Sequence, residues 1–293
     1  MSSHALPVFY DPRQNASNPG SASPSAHKPA EAMASWWALG VPLEVHSFEP
    51  VRPEQFHAVH DPGYVDGIFA GTRKNGFHNT SIDVAESLRW TSGSFLAAAR
   101  WVAAGAPVAV SPTSGFHHAG WSEGGGYCTF NGLMLAARAI LEEGLADKVG
   151  ILDLDMHYGD GTDSIILKLR LTQRIEHYTF GLSAVQHGPA RDPSGTERWL
   201  TGLPEILDGF RTKGCQVLLY QAGADPHVDD PLGGVMTTEQ MRRRDVIVFE
   251  KCRELGLPVA WNLAGGYQQP LRKVLELHDA TLLACARTFG QVA

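Results

Sequence analysis

The sequence predicts an α/β fold, a mostly parallel sheet layered between helices, and three observations support it. Short apolar runs of strand length alternate with stretches whose apolar residues recur at helical spacing, the pattern of successive βαβ units. Runs such as 216–221 are apolar on both faces, which suits strands covered from two sides. Polar segments rich in Gly, His and Asp follow the runs at 107–110, 149–154, 216–221 and 258–263. Beyond strand carboxyl ends is where open α/β sheets collect ligands. With 43% hydrophobic and 19% charged residues, the 293-residue chain can bury a large core and is not globally disordered. No internal repeat or shift in composition divides it, so one domain over 1–293 is expected.

Residues 7–10 and 44–48 read as the first two strands. Between them, the Ser-, Pro-, Asn- and Ala-rich segment 11–28 is expected to be a loop of the domain rather than a tether. Residues 53–70 read as short helical pieces broken at Asp61-Pro62-Gly63. Leu88, Phe95, Leu96, Ala99 and Val102 mark the core stripe of a helix over 84–104, with Gly93 as a local weakness. Strand 107–110, helix 130–143 and strand 149–154 follow. Helix 161–170, strand 175–180, a loop at 188–195 and helix 198–212 come next. Strand 216–221, helix 238–255, strand 258–263 and a helix from Leu271 to about Thr288 close the chain.

The stretch from Gly150 to Thr162 passes from a buried strand into a polar turn. Strand alternation places Asp153, Asp155 and His157 on one face and Leu154 and Met156 on the other. Two carboxylates and an imidazole gathered there repel or stand desolvated unless a cation compensates them, and a divalent metal is the simplest such cation. Carboxylate oxygen and imidazole nitrogen suit zinc, and iron or manganese less distinctively. A loop of solvated acids with one packed histidine is the plain alternative. His117 and His118 follow strand 107–110, next to a glycine-dense loop. A pair of imidazoles facing an acidic strand suggests proton transfer.

Bulk properties bear on partners. A net charge of −7 disfavours nonspecific attraction to nucleic acid and is compatible with cationic substrates. Cys128, Cys215, Cys252 and Cys285 are widely spaced without a CxxC pair, which indicates neither a zinc finger nor a disulfide framework. No basic segment followed by an apolar core opens the sequence, and no apolar run approaches the ~18 residues of a membrane span. A cytoplasmic protein without membrane or nucleic-acid partners is expected, and a homo-oligomer is left open.

From Tyr10 to Tyr267 the chain resembles the zinc-dependent deacetylases of the histone deacetylase and acetylpolyamine amidohydrolase superfamily. The likeness rests on motif blocks in the family's order. They are Gly-Phe-His117-His118-Ala with Gly-Tyr-Cys-Thr-Phe-Asn, and Asp153-Leu-Asp155-Met-His157-Tyr-Gly-Asp160-Gly-Thr. Gln-Ala-Gly-Ala-Asp225 with Asp-Asp-Pro-Leu-Gly, and Ala-Gly-Gly-Tyr267, complete them. The resemblance implies a three-layer α/β/α, arginase/deacetylase-like domain of about eight strands. It implies Zn2+, with Fe2+ as the alternative, held by Asp155, His157 and Asp225 with a coordination position left open. It pairs His117 with Asp153 and His118 with Asp160, His118 acting as base and then acid and His117 stabilising developing charge. Tyr267 becomes the donor to the oxyanion, and Gly126 and Tyr127 line the substrate passage. A K+ site, if kept, would use Asp153, Asp155, His157 and Leu182. The implied activity is hydrolysis of a small N-acylated amine such as acetyl-lysine or an acetylpolyamine.

Departures from the family pattern are local. Tyr158 stands where many relatives carry a second histidine, and Gly181-Leu182-Ser183 replaces a Ser-Leu-His-type segment. The span between Thr179 and Gln221 is short, which suggests a wider, shallower mouth. His227, Asp229 and Asp230 read as loop and rim residues, and His187 as a surface histidine. Two alternatives remain: a dinuclear hydrolase of guanidinium compounds on the arginase-like fold, and a non-catalytic relative that binds acylated ligands.

Overall fold

The structure, a computed structural model, describes residues 5–17, 20, 21, 23–181 and 193–290. Its strands are β1 (Leu6–Phe9), β2 (Leu43–His46), β3 (Val108–Ser111), β4 (Val149–Asp153), β5 (Ile175–Thr179), β6 (Val217–Gln221) and β7 (Val259–Asn262). They form one sheet in the order β2-β1-β3-β7-β6-β4-β5, with every pairing parallel. Each expected strand forms within a residue or two of its expected bounds. The described residues hold seven strands, fewer than the resemblance implies.

Parallel neighbours require a crossover, and helices supply it. These are α1 (Lys28–Ala38), α2 (Pro62–Phe69), α3 (Ile82–Ala103), α4 (Gly132–Glu142), α5 (Asp160–Lys168), α6 (Pro193–Thr212), α7 (Thr238–Leu255) and α8 (Arg272–Phe289). They divide between the two faces of the sheet, because alternate strand residues feed different cores. Leu152, Leu218, Tyr220 and Trp261 join Trp36, Phe210 and Phe249 in one core. Ile151, Leu219 and Ala260 join Phe95, Leu133 and Ile140 in the other. Each fully buried Leu or Phe contributes about 1.5–3 kcal/mol, so both layers are held mainly by apolar burial.

The segment between β1 and β2 is built from short turns and a helix. Short 3-10 turns form at Pro12–Gln14 and Pro24–Ala26. Ala16 N–H donates to Ala26 O at 3.1 Å, and Ala16 is fully buried. Helix α1, which the sequence reading leaves out, follows directly. It carries Pro29 in its first turn and buries Ala32, Met33 and Trp36. Trp36 packs 5.7 Å from Trp261, so a tertiary contact stabilises a helix whose local pattern is short. The expected break at 61–63 is a helix start, where Asp61 Oδ1 accepts from Tyr64 N at 3.0 Å. Helix α6 begins at Pro193 rather than at 198.

Strand order sets up the site. β7 and β6 lie between β3 and β4, so the loops after these four strands leave the same end of adjacent strands.

Candidate metal centre and catalytic groups

Asp153 is the last residue of β4. Its Oδ2 accepts from His117 Nδ1 at 2.7 Å, and its Oδ1 accepts from Gln221 Nε2 at 3.1 Å and Asp155 N at 3.2 Å. The strand stops there. Asp155 and His157 therefore do not converge by strand alternation, as the sequence suggests, but through bends. His157 N donates to Asp155 Oδ1 at 2.9 Å, fastening the turn to a carboxylate that it presents. Asp225 arrives on the loop after β6 and accepts from Met156 N at 3.2 Å.

One ligand atom each from Asp155, His157 and Asp225 lies within 4.8 Å of the others. His157 Nδ1 stands 3.1 Å from Asp155 Oδ1 and 2.9 Å from Asp225 Oδ2, while Nε2 donates to Leu232 O at 3.0 Å. Both carboxylates are buried. Burial and repulsion from Asp155 push Asp225 upward. Burial opposes ionisation of Asp155 as well, but the neighbouring imidazoles His117 and His157 hold it well below its usual value. Hydrogen bonds to Asp155 and Asp225 lift His157 to about 11. The carboxylates are kept clear on one side by Gly265, whose N–H donates to Asp155 Oδ2 at 2.9 Å. A Cβ there would sit 2.5 Å from Asp225 Oδ2 and 2.7 Å from Asp155 Oδ2. Two buried oxygens and an imidazole nitrogen fit a divalent metal, and the Leu232 carbonyl leaves Nδ1 as the ligating atom.

His118 Nδ1 donates to Asp160 Oδ1 at 2.7 Å, leaving Nε2 for a reacting proton. The His117 and His118 rings lie 4.0 Å apart, and His118 and His157 are 5.9 Å apart. His117 is buried, which works against its charge, but Asp153, Asp155 and Asp225 outweigh this and lift it to about 9. Gly126 packs against His118, since a Cβ would lie 2.4 Å from its Cδ2. The rings of Tyr127 and Tyr267 are 5.6 Å apart. Burial and the charges of Asp155 and Asp225 raise the Tyr267 phenol, which keeps it a donor.

The structure brings Asp153, Asp155, His157, Asp160, Asp225, His117, His118 and Gly126 together and sets Tyr127 against Tyr267. Leu182, with the K+ site it was to complete, Ser183 and His187 lie outside them. Tyr158 donates to Asp163 Oδ2 at 2.5 Å, and Asp163 Oδ1 also accepts from His177 Nδ1 at 2.7 Å. The rim assignment holds for exposed Asp229 but not for Asp230 and His227, which are buried. The sequence reading also misses Lys28, which is fully buried and donates to Ala264 O at 2.9 Å. Burial lowers it to about 8 against the pull of Asp225, Asp155 and Asp230. A lysine closing a Ser- and Pro-rich segment carries no local signal of such a place.

Comparison with known proteins agrees with the geometry. The Histone deacetylase domain matches residues 28–186. An uncharacterized protein of Picosynechococcus is 30% identical over 257 residues, 79% of this chain and 82% of that protein. Acetylpolyamine amidohydrolase 1 of Pseudomonas aeruginosa is 28% identical over 170 residues, covering 52% of this chain and about half of its own length, 48%. The crystal structure of an acetylpolyamine aminohydrolase from Burkholderia pseudomallei superposes with a TM-score of 0.73 at 18% identity. That match covers 96% of this chain and 99% of the other.

Proposed function

Because the chain belongs to the histone deacetylase family, we propose that it hydrolyses the amide of a small N-acetylated amine, an acetylpolyamine or acetyl-lysine, with zinc held by Asp155, His157 and Asp225. Zinc in such a site supplies a Lewis acid for the amide carbonyl and eases deprotonation of water. His118, oriented by Asp160, takes the proton from water at Nε2 and returns it to the departing amine. His117, held by Asp153, stabilises negative charge as it develops. Tyr267 donates its hydroxyl to the oxyanion, and Tyr127 beside it forms the passage wall. One observation supports this reading above the rest: the metal-ligand trio lies beside two histidines that are each paired with a different aspartate.

The test is acetate release from acetylputrescine, acetylspermidine and an acetyl-lysine peptide, with the protein loaded with zinc or iron(II). Chelation should abolish turnover and restored metal should return it. Tyr267→Phe should lower kcat by about 10²–10³-fold with zinc affinity retained. Activity that survives metal removal, or a Tyr267→Phe enzyme as fast as wild type, would overturn the assignment. A stoichiometry of two metals per chain would favour the dinuclear alternative.

A further inference from the structure

We propose that Asp230 is a positioning residue that aligns the Tyr267 hydroxyl and the metal-ligating His157 together, each of its carboxylate oxygens accepting a hydrogen bond from a different backbone N–H. Oδ2 accepts from Tyr267 N at 2.7 Å. Oδ1 accepts from Leu232 N at 3.0 Å, and the carbonyl of that same Leu232 receives the His157 Nε2 proton at 3.0 Å. Asp230 is only 5% exposed, so these bonds are not exchanged freely with water. The arrangement rests on the function proposed above, since it acts on the phenol and the ligand named there.

The physical need is specific. The loop carrying Tyr267 has Ala264 at φ +51° and Gly266 at φ +141°, a backbone that does not hold itself in an unstrained strand or helix. It is fastened at Ala264 O by Lys28, at Gly265 N by Asp155 and at Tyr267 N by Asp230. Of these, the Asp230 bond falls on the residue whose hydroxyl must be placed. On the other arm, Leu232 O fixes which nitrogen of His157 carries hydrogen and so leaves Nδ1 for metal. Leu232 itself is half exposed, at 50%, and the Asp230 bond restrains it at its N–H.

Asp230→Ala should weaken zinc binding, measured by competition with a chromophoric chelator, by about 10–100-fold. At saturating zinc it should also lower kcat at least tenfold with little change in KM. In a Tyr267→Phe background, the kcat loss from Asp230→Ala should vanish, because the hydroxyl that it aligns is gone. Asp230→Asn presents an amide N–H to one of two backbone donors and should fall in the same direction, which keeps the test decisive if the alanine variant does not fold. The neighbouring exposed Asp229→Asn should leave both readouts unchanged. Unaltered zinc affinity in a folded Asp230 variant, or a kcat loss that persists in full without the Tyr267 hydroxyl, would overturn the proposal. If the wild-type protein cleaves none of the acetylated probes, the hydrolase assignment fails while the zinc measurement still decides the role of Asp230.

Discussion

At the residue scale, His60 links the histidine loop to the protein interior. Its Nδ1 donates to Gly120 O at 2.7 Å, and its Nε2 accepts from Asn131 N at 2.8 Å. Asn131 caps α4 through Met134 N at 3.0 Å and donates to Ala119 O at 3.1 Å, next to His118. These partners require a neutral imidazole with hydrogen on Nδ1. Burial, opposed only by the backbone carbonyls, lowers His60 to about 4. A histidine whose folded pKa lies below its unfolded value binds fewer protons when folded. Its contribution is therefore complete above about 6.5 and is lost as pH falls toward 4. Urea unfolding at pH 7 and pH 4.5 should show about 2–3 kcal/mol of acid loss that His60→Gln lacks. Equal acid losses in the two proteins would rule out His60 as the source.

At the scale of elements, the first turn of α5 is built against the histidine loop. Asp160 at the helix N-terminus is favoured there as an anion and orients His118 from that place. Gly161 then lets the loop come close: a Cβ would lie 2.5 Å from His118 C and 2.6 Å from Ala119 C. Those are backbone atoms, so accommodation means moving the loop. Gly161→Ala should cost about 1–3 kcal/mol of stability by overpacking. It should reduce kcat well beyond its effect on zinc affinity, because none of the metal ligands lies on the histidine loop that must move. Parallel measurement of kcat, zinc affinity and unfolding separates these effects, and an equal fall in affinity would argue against a loop-specific displacement.

At the scale of the molecule, α7 ties the two metal-bearing loops to one layer of the sandwich. Arg244, fully buried, donates to Leu154 O at 3.2 Å and Gly223 O at 2.7 Å, each close in sequence to a metal ligand. It is paired with Asp245 at 2.8 Å, and Asp245 also accepts from Tyr220 on β6 at 2.5 Å and Thr281 on α8 at 2.6 Å. Removing one partner strands a buried charge, so Arg244→Met should destabilise by about 3–5 kcal/mol in chemical unfolding. A change under about 1 kcal/mol would mean that Asp245 is satisfied by its hydroxyl partners alone.

Sequence alone determined the strand succession, because apolar runs and helical periodicity are local properties of the chain. It also marked Asp153, Asp155, His157, His117 and His118 as candidates, since acids and imidazoles after buried strands stand out against their neighbours, while Asp225 and Tyr267 entered only through the family resemblance. It left Lys28 in a loop and Asp230 at a rim, because nothing local distinguishes a buried, bonded charge from a solvated one. Only tertiary structure decided that β3, β7, β6 and β4 lie side by side and that Asp230 faces inward. Strand order and charge burial depend on which distant segments pack together, and that information is not carried by residues near in sequence.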